Sequence, residues 1–261
     1  MERIGQRATA EFIGTFALVF IACGSVIVAQ GVAGTLGVAL AQGLVLAVFV
    51  SVLAHLSGAH FNPAVTIGAW VTNQIQTAAA GVYIFVQLVA ATAAAYLLRV
   101  VVEKQFWDAP NIHLGTTQVN HTLTTNGRAV ALEAILTFFL VFAVYGTAID
   151  ERGPFTKIAG LSIGLVLTFD ILFGGPFTGG AMNPARWFGP ALASGTWTDW
   201  WVYLIGPIGG GVIAAAVYWF AFLGGREKMV RLPRTEKPIE GPETPMAPEG
   251  EGLSGLPGAE R

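Results

Sequence analysis

Two Asn-Pro-Ala triplets place polar side chains within an otherwise apolar sequence. They lie in the stretches SGAHFNPAVT and TGGAMNPARWFGP, and they comprise Asn62, Pro63 and Ala64, and Asn183, Pro184 and Ala185. Asn favours the cap of a helix N-terminus and Pro favours the first helical position, so each triplet predicts a helix start. A helix start presents unpaired N–H groups and the positive end of the helix dipole. Because both triplets lie between long apolar segments, they predict hydrogen-bond donors held inside an apolar environment.

Three charged side chains accompany this pattern. Arg186 follows the second triplet, and its guanidinium keeps its charge, so it must face protein or water rather than lipid. Glu11 and Glu133 lie in apolar stretches, and each is followed four residues later by Thr. Intramembrane carboxylates often mark proton relays, so a transport-coupled proton site is one interpretation of the two glutamates. A structural role as hydrogen-bond acceptors is the other.

Composition excludes several classes of protein. Hydrophobic residues make up 54% of the 261 and charged residues 11%, whereas about a quarter of residues are charged in soluble domains. The formal net charge of −2 gives no basis for a nucleic-acid partner. The single cysteine, Cys23, excludes a disulfide framework and a cysteine zinc site, and we expect it to pack inside a span. The sequence shows no cofactor, metal or catalytic constellation, so we expect neither a bound group nor an enzyme.

The elements that must position these residues are membrane spans, which need roughly 20 mostly apolar residues each. Six segments meet this requirement, at about 8–30, 35–56, 81–102, 128–149, 157–174 and 200–223. Two shorter helices, about 62–71 and 183–193, begin at the triplets and are predicted to be re-entrant. The sequence therefore predicts an all-α membrane protein with six transmembrane helices and two re-entrant half-helices.

The two halves of the chain repeat each other. Asn62 and Asn183 are 121 positions apart, and Glu11 and Glu133 are 122 apart. Each repeat holds three spans, and an odd number inserts the second repeat upside down relative to the first. The half-helices then enter from opposite faces of the membrane, and their asparagines are predicted to meet near its midplane.

The chain divides into a short N-terminus at 1–7, a membrane domain at 8–224 and a tail at 225–261. Within the membrane domain, the repeats span about 8–102 and about 128–224. The tail is rich in Pro, Gly and Glu and lacks aromatic residues, which predicts disorder. Most Lys and Arg residues outside the spans fall on the side of the termini, so both termini are expected in the cytoplasm.

On these residues the sequence resembles the aquaporin, or major intrinsic protein, family over about residues 8–223. Asp170 beside Ile171, and the stretch WVYLIGP, look nearer to nodulin-type and archaeal members than to strict water channels. The resemblance implies a homotetramer with one pore per subunit, in which Glu11 and Glu133 support the re-entrant loops. It also implies that Asn62 and Asn183 donate to the permeating molecule. A line of accepting backbone carbonyls is implied at Gly58, Ala59, His60, Gly179, Gly180, Ala181 and Met182.

The resemblance further implies a second constriction, formed by Gln42, Ile171, Gly180 and Arg186. Water-selective members have an aromatic residue at the first of these positions and His at the second, so Gln42 and Ile171 depart from that pattern. The aromatic pair and the Asp after Arg that are typical of glycerol channels are also missing. We expect a wider, partly apolar aperture, which Gln42 could narrow again.

The expected function is a passive channel that conducts water and excludes ions and protons. Whether small uncharged solutes also pass is left open. One alternative is a facilitator of glycerol, urea or metalloid acids with water secondary. Another is an ion-coupled secondary transporter, since inverted repeats and broken helices suit both classes. The expected surroundings are membrane lipid in the plasma, or cell inner, membrane. Two roles stay open for Asp170: lying in the outer vestibule and pairing with solvent or Arg186, or capping a backbone turn before Gly174, Gly175 and Pro176.

Overall fold

The computed structural model describes residues 2–29, 34–154 and 156–224. Nine α-helices lie in these residues: α1 Glu2–Val28, α2 Gly34–Ser57, α3 Pro63–Val71, α4 Thr77–Val101, α5 Lys104–Trp107, α6 Asn126–Val144, α7 Ala159–Thr178, α8 Pro184–Ser194 and α9 Val202–Ala221. A π-helical turn, Tyr145–Ile149, extends α6, and short 3₁₀ turns occupy His113–Gly115 and Thr156–Ile158. The predicted disordered tail lies outside the described residues.

Six of these helices are long and apolar enough to cross a membrane, namely α1, α2, α4, α6 with its π turn, α7 with the preceding 3₁₀ turn, and α9. The prediction of an all-α protein with six spans is confirmed. Helices α3 and α8 contain 9 and 11 residues. At 1.5 Å per residue neither reaches across a hydrocarbon core of about 30 Å, so both are half-helices.

Helices α1 and α7 extend beyond their approximate predicted boundaries. Helix α1 begins at Glu2, and the candidate membrane span within it begins at Ile4. Helix α7 continues to Thr178 through Gly174, Gly175 and Pro176, where the sequence predicted its end because Gly and Pro usually stop a helix. Asn120, in the loop between α4 and α6, donates its backbone N–H to the Phe177 carbonyl at 2.8 Å, which satisfies an acceptor in the last turn.

The helices pack as two interlocked halves. Helix α1 packs on α4 and α6 packs on α9, while each half-helix lies against the last span of the other half, α3 on α9 and α8 on α4. Helices α2 and α7 join the halves at a close crossing. A Cβ on Gly164 would lie 2.3 Å from the Gly43 carbonyl oxygen, so this crossing requires glycine. Small residues of this kind allow membrane helices to approach closely.

Candidate functional site

The first re-entrant loop is held by the buried carboxylate of Glu11 on α1. Its Oε1 accepts hydrogen bonds from the Ser57 hydroxyl at 2.7 Å and from the His60 backbone N–H at 2.9 Å. Its Oε2 accepts from the Phe61 N–H at 2.8 Å and from Gln87 Nε2 at 2.9 Å. The negative charge therefore faces four donors, which is the arrangement that stabilises an ionised carboxylate without water.

The second re-entrant loop is held by Glu133 on α6 in the same way. Glu133 Oε1 accepts from the Thr178 hydroxyl at 2.7 Å and from the Ala181 N–H at 3.0 Å. Its Oε2 accepts from the Met182 N–H at 2.8 Å. Both glutamates are fully buried, and each connects the first span of its half to the loop before its half-helix.

The backbone of the two loops needs this support. Three residues in each loop adopt positive φ, at equivalent positions of the two repeats: Gly58, Ala59 and Phe61 in the first, and Gly179, Gly180 and Met182 in the second. The left-handed region costs an L-residue roughly 1–2 kcal/mol. Such a conformation turns successive carbonyls in irregular directions, and it persists because the surrounding structure holds it.

Both asparagines cap their half-helices as predicted. Asn62 Oδ1 accepts from the Ala64 N–H at 2.8 Å, and Asn183 Oδ1 accepts from the N–H groups of Ala185 at 3.0 Å and Arg186 at 3.3 Å. Pro63 and Pro184 occupy the first helical positions. The caps orient each side-chain amide away from its own helix, so that its NH₂ group points toward the other half.

The asparagines also tie the two halves together. Asn62 Nδ2 donates to the Met182 carbonyl at 2.8 Å, and Asn183 Nδ2 donates to the Phe61 carbonyl at 2.9 Å. The two half-helix N-termini therefore meet, as the repeat predicts. Each NH₂ group carries two hydrogens, so one remains beyond this contact. The sequence assigned the Met182 carbonyl to the pore, whereas here it accepts from Asn62. Met182 is fully buried and lies outside the cavities described next.

A narrow cavity of about 30 Å³ lies beside this contact. One water needs roughly 10–15 Å³, so the cavity admits only small molecules. Its polar lining comprises Gln42, His60, Asn62, Asn183 and Arg186. The remainder is aliphatic or Ala, and it comprises Leu18, Leu46, Val50, Ala59, Val65, Leu140, Val144, Ile163, Leu167 and Ala181. A polar molecule in this space finds hydrogen-bond partners on a few sides and hydrocarbon on the others.

A larger vestibule of about 390 Å³ opens beyond Arg186. Its lining includes Ile171, Gly179, Thr117 and the 3₁₀ turn at Gly115. Among the described residues, Arg186 is the one that lines both the vestibule and the narrow cavity, so its guanidinium separates the two spaces. Four of the residues predicted to supply pore carbonyls line the narrow cavity or the vestibule: Ala59, His60, Gly179 and Ala181.

The four residues of the implied second constriction lie around this boundary. Gln42 and Arg186 share the narrow cavity, and Ile171 and Arg186 share the vestibule. Gly180 lies against Ile171, since a Cβ on Gly180 would be 3.5 Å from the Ile171 Cα. Gln42 is 1% exposed, and its Nε2 has no hydrogen-bond partner within the described part of the chain. This donor is therefore available to a molecule in the cavity.

Arg186 is held by residues that the sequence did not single out for this task. Its Nη1 donates to the Gly115 carbonyl at 2.9 Å and lies 3.9 Å from Cys23 Sγ. Its Nε and Nη2 lack partners among residues 2–29, 34–154 and 156–224, although the side chain is only 2% exposed. In the sequence, Gly115 is a lone glycine in a polar loop. Such a glycine indicates a turn, but it does not indicate which way the carbonyl points.

Asp170 takes neither of its two expected roles. It is 1% exposed, and neither carboxylate oxygen has a partner in the described residues. It forms no ion pair with Arg186 and caps no turn. It also lines neither the narrow cavity nor the vestibule.

Comparison with known proteins agrees with this geometry. The family model described as "Major intrinsic protein" matches residues 2–218, so the chain belongs to the major intrinsic protein family. "Aquaporin TIP4-4" of Zea mays is 41% identical over 232 residues, covering 85% of this chain and 89% of that protein. "Aquaporin NIP1-2" of Oryza sativa subsp. japonica is 38% identical over 214 residues, covering 80% and 69%. The family resemblance in the sequence is confirmed.

A solved structure shares the fold. The X-ray structure of the aquaglyceroporin from Plasmodium falciparum superposes with a TM-score of 0.72 at 27% identity, covering 82% of this chain and 95% of that one. The aquaporin-like inverted repeat with six spans and two half-helices is thereby confirmed. The protein is an integral, multi-pass membrane protein.

Proposed function

We propose that this protein is a passive channel for water and small uncharged solutes that excludes ions and protons, and that it catalyses no reaction. The observation that carries this proposal is the reciprocal contact of Asn62 and Asn183 beside the narrow cavity. A polar molecule that leaves bulk water must replace its lost hydrogen bonds. The remaining amide hydrogens of the two asparagines supply donors, and the carbonyls of Ala59, His60, Gly179 and Ala181, whose residues line the cavity or the vestibule, supply acceptors.

Charge selectivity follows from the two helix N-termini and Arg186. The positive ends of α3 and α8 face each other, and together they raise the potential at the centre of the pore, an electrostatic barrier known for aquaporins. Arg186 adds a full positive charge between the cavity and the vestibule. A cation meets both barriers after losing its hydration shell, whereas an uncharged molecule meets neither.

The cavity volume favours water as the principal permeant. At roughly 10–15 Å³ per water, a cavity of about 30 Å³ holds two or three waters, and Gln42 reaches the narrow part of the path. The second candidate is a facilitator of glycerol, urea or metalloid acids. The observation that favours it is the pairing of Ile171 with Gly180 at the vestibule, which leaves that side of the constriction without a large polar group. The name of the Plasmodium falciparum structure, an aquaglyceroporin, points the same way.

Stopped-flow light scattering on proteoliposomes separates the two candidates. Vesicles are first shrunk with an impermeant osmolyte and then exposed to glycerol and urea gradients. Fast water flux with slow solute flux is the expected result. Fast flux of both assigns the solute facilitator, and water flux no faster than in empty vesicles overturns the channel proposal.

The remaining expectations belong to the same proposal. We propose a homotetramer with both termini in the cytoplasm, resident in the plasma or cell inner membrane. The excess of Lys and Arg on the side of the termini supports this orientation. Cross-linking in the native membrane, protease access to tags at each terminus and membrane fractionation test the three parts separately. Recovery of the protein in an internal membrane would overturn the location alone.

A further inference from the structure

The loop between α4 and α6 contains a turn whose backbone is unusual. His113, Leu114 and Gly115 have φ of +42°, +58° and +71°, so three successive residues adopt the left-handed region. Leu is strongly disfavoured there, and a bulky residue with positive φ persists only where its surroundings hold it. Leu114 is fully buried and packs in an apolar cluster with Val19, Cys23 and others. The burial of this side chain fixes the turn.

The turn is seated directly on helix α1. A Cβ on Gly115 would lie 2.7 Å from the Cys23 Cα and 2.9 Å from the Cys23 carbonyl oxygen. Both are backbone atoms of a spanning helix, which cannot give way as the end of a side chain can. Cys23 Sγ lies 3.8 Å from the Gly115 carbonyl oxygen. Glycine is therefore required at position 115 for the loop backbone to rest on α1 at this depth.

The carbonyl fixed in this way is the one that accepts from Arg186. The bond from Arg186 Nη1 to Gly115 is 2.9 Å long, and the other atom within reach of this nitrogen is Cys23 Sγ, a weak acceptor. The buried guanidinium thus has one strong protein acceptor among the described residues, with Nε and Nη2 left for molecules in the pore. A small displacement of the Gly115 carbonyl would move the charge that separates the cavity from the vestibule.

We propose that the turn at Leu114 and Gly115, seated against Cys23, is the positioning device for Arg186 and thereby sets the selectivity of the outer constriction. The proposal rests on the proposed function, in which Arg186 is the charged part of that constriction. It adds that selectivity depends on a backbone contact between α1 and a loop, in which Gly115 borders the vestibule and Cys23 lines neither space. Gly115 and Cys23 are positioning residues in this sense.

The test compares Gly115→Ala with a matched control, Gly127→Ala, because an added Cβ at Gly127 meets nothing within 4 Å. Proton and urea permeability are each divided by water permeability in the same proteoliposomes. Once the permeability of empty vesicles is subtracted from each value, this ratio is independent of the amount of folded protein, so a merely structural defect leaves it unchanged. Gly115→Ala is expected to raise one or both ratios several-fold, towards those of Arg186→Val, while Gly127→Ala keeps the wild-type ratios.

A second variant protects the test against failure of Gly115→Ala to fold. Cys23→Leu adds bulk beneath the turn and is expected to change the ratios in the same direction, whereas Gly127→Ala again serves as the control and is expected to match the wild type. Wild-type ratios in Gly115→Ala and Cys23→Leu, with altered ratios in Arg186→Val, overturn the positioning role and leave the channel proposal intact. Unaltered ratios in Arg186→Val overturn instead the role of Arg186 on which this inference rests.

Discussion

Arg186 is the residue at which charge selectivity is most directly tested. Replacing it with Val removes a full positive charge from the boundary between cavity and vestibule. Two unit charges about 4 Å apart interact with ~4 kcal/mol at an effective dielectric constant of 20, and each 1.4 kcal/mol is a factor of about ten. Proton or cation leak is therefore expected to rise about tenfold or more, measured with a pH-sensitive dye inside vesicles. Arg186→Lys, which keeps the charge, is the control, and an unchanged leak in Arg186→Val would contradict the assignment.

At the scale of single residues, sequence predicts what depends on local chemistry. The caps at Asn62 and Asn183 follow from the preferences of Asn and Pro, and the structure has them. The partner of Arg186 could not be predicted in this way, since Gly115 is 71 positions away and its carbonyl is aimed by a turn packed on a third element. Met182 illustrates the same limit, because its carbonyl is taken by an asparagine 120 positions away.

At the scale of elements, the two buried glutamates test whether the protein is a channel or a coupled transporter. In Glu11→Gln the new NH₂ group would face an N–H or hydroxyl donor that now points at a carboxylate oxygen. Hydrogen bonds to a charged group contribute about 1.5–3 kcal/mol each, so Glu11→Gln and Glu133→Gln are expected to lower stability by at least about 2 kcal/mol. Thermal unfolding in detergent and recovery of assembled protein measure this loss. Stable variants that lack only proton-coupled flux would favour the transporter.

A second prediction concerns the connection between α6 and α7. The Arg152 side chain hydrogen-bonds Asp150 and lowers the pKa of that carboxyl from near 4 to about 2. Arg152 also donates to the Phe222 carbonyl after α9, and the Tyr218 hydroxyl donates to Asp150. Because the folded pKa is depressed, the contribution to stability is complete above about pH 4 and is lost as the pH falls towards 2.

The unfolding temperature measured across this range should therefore fall less steeply in Asp150→Asn than in the wild type. Asp108→Asn is the comparison, since Asp108 also has a lowered pKa, through its hydrogen bond with Lys104. Because that pair is exposed and joins residues four apart at one short helix, Asp108→Asn is expected to flatten the curve less than Asp150→Asn does. If the unfolding temperatures of Asp150→Asn and the wild type fall in parallel with pH, the hydrogen bonds among Asp150, Arg152, Tyr218 and Phe222 do not stabilise the connection to α9.

The existence of the elements was predictable because a membrane span has a simple requirement of length and apolarity. The positions at which the helices end were less predictable. The stop predicted at Gly174, Gly175 and Pro176 fails because tertiary contacts satisfy the end of α7, where Asn120 donates to the Phe177 carbonyl. Local propensity predicts a helix end only where no other part of the chain overrides it.

For the whole molecule, the decisive feature is that the narrow cavity lies within one chain, lined by residues of α1, α2, α6 and α7 together with both re-entrant loops and half-helices. If four such chains assemble, each subunit is expected to conduct alone, and assembly stabilises the pores without forming them. A plugged subunit makes this testable. Ile163→Trp adds an indole to a cavity of about 30 Å³, and it is expected to reduce water flux to the level of empty vesicles.

When Ile163→Trp and wild-type chains are co-expressed and reconstituted at known ratios, water permeability should fall linearly with the fraction of plugged chains, because each wild-type pore keeps its own lining. Leu161→Trp is the matched control, since Leu161 lies on the same helix, is 49% exposed and lines neither cavity nor vestibule, so its mixtures should conduct as the wild type does. A curve that falls as the fourth power of the wild-type fraction would mean that conduction needs all four subunits together, and the path would then lie between chains rather than beside Asn62 and Asn183.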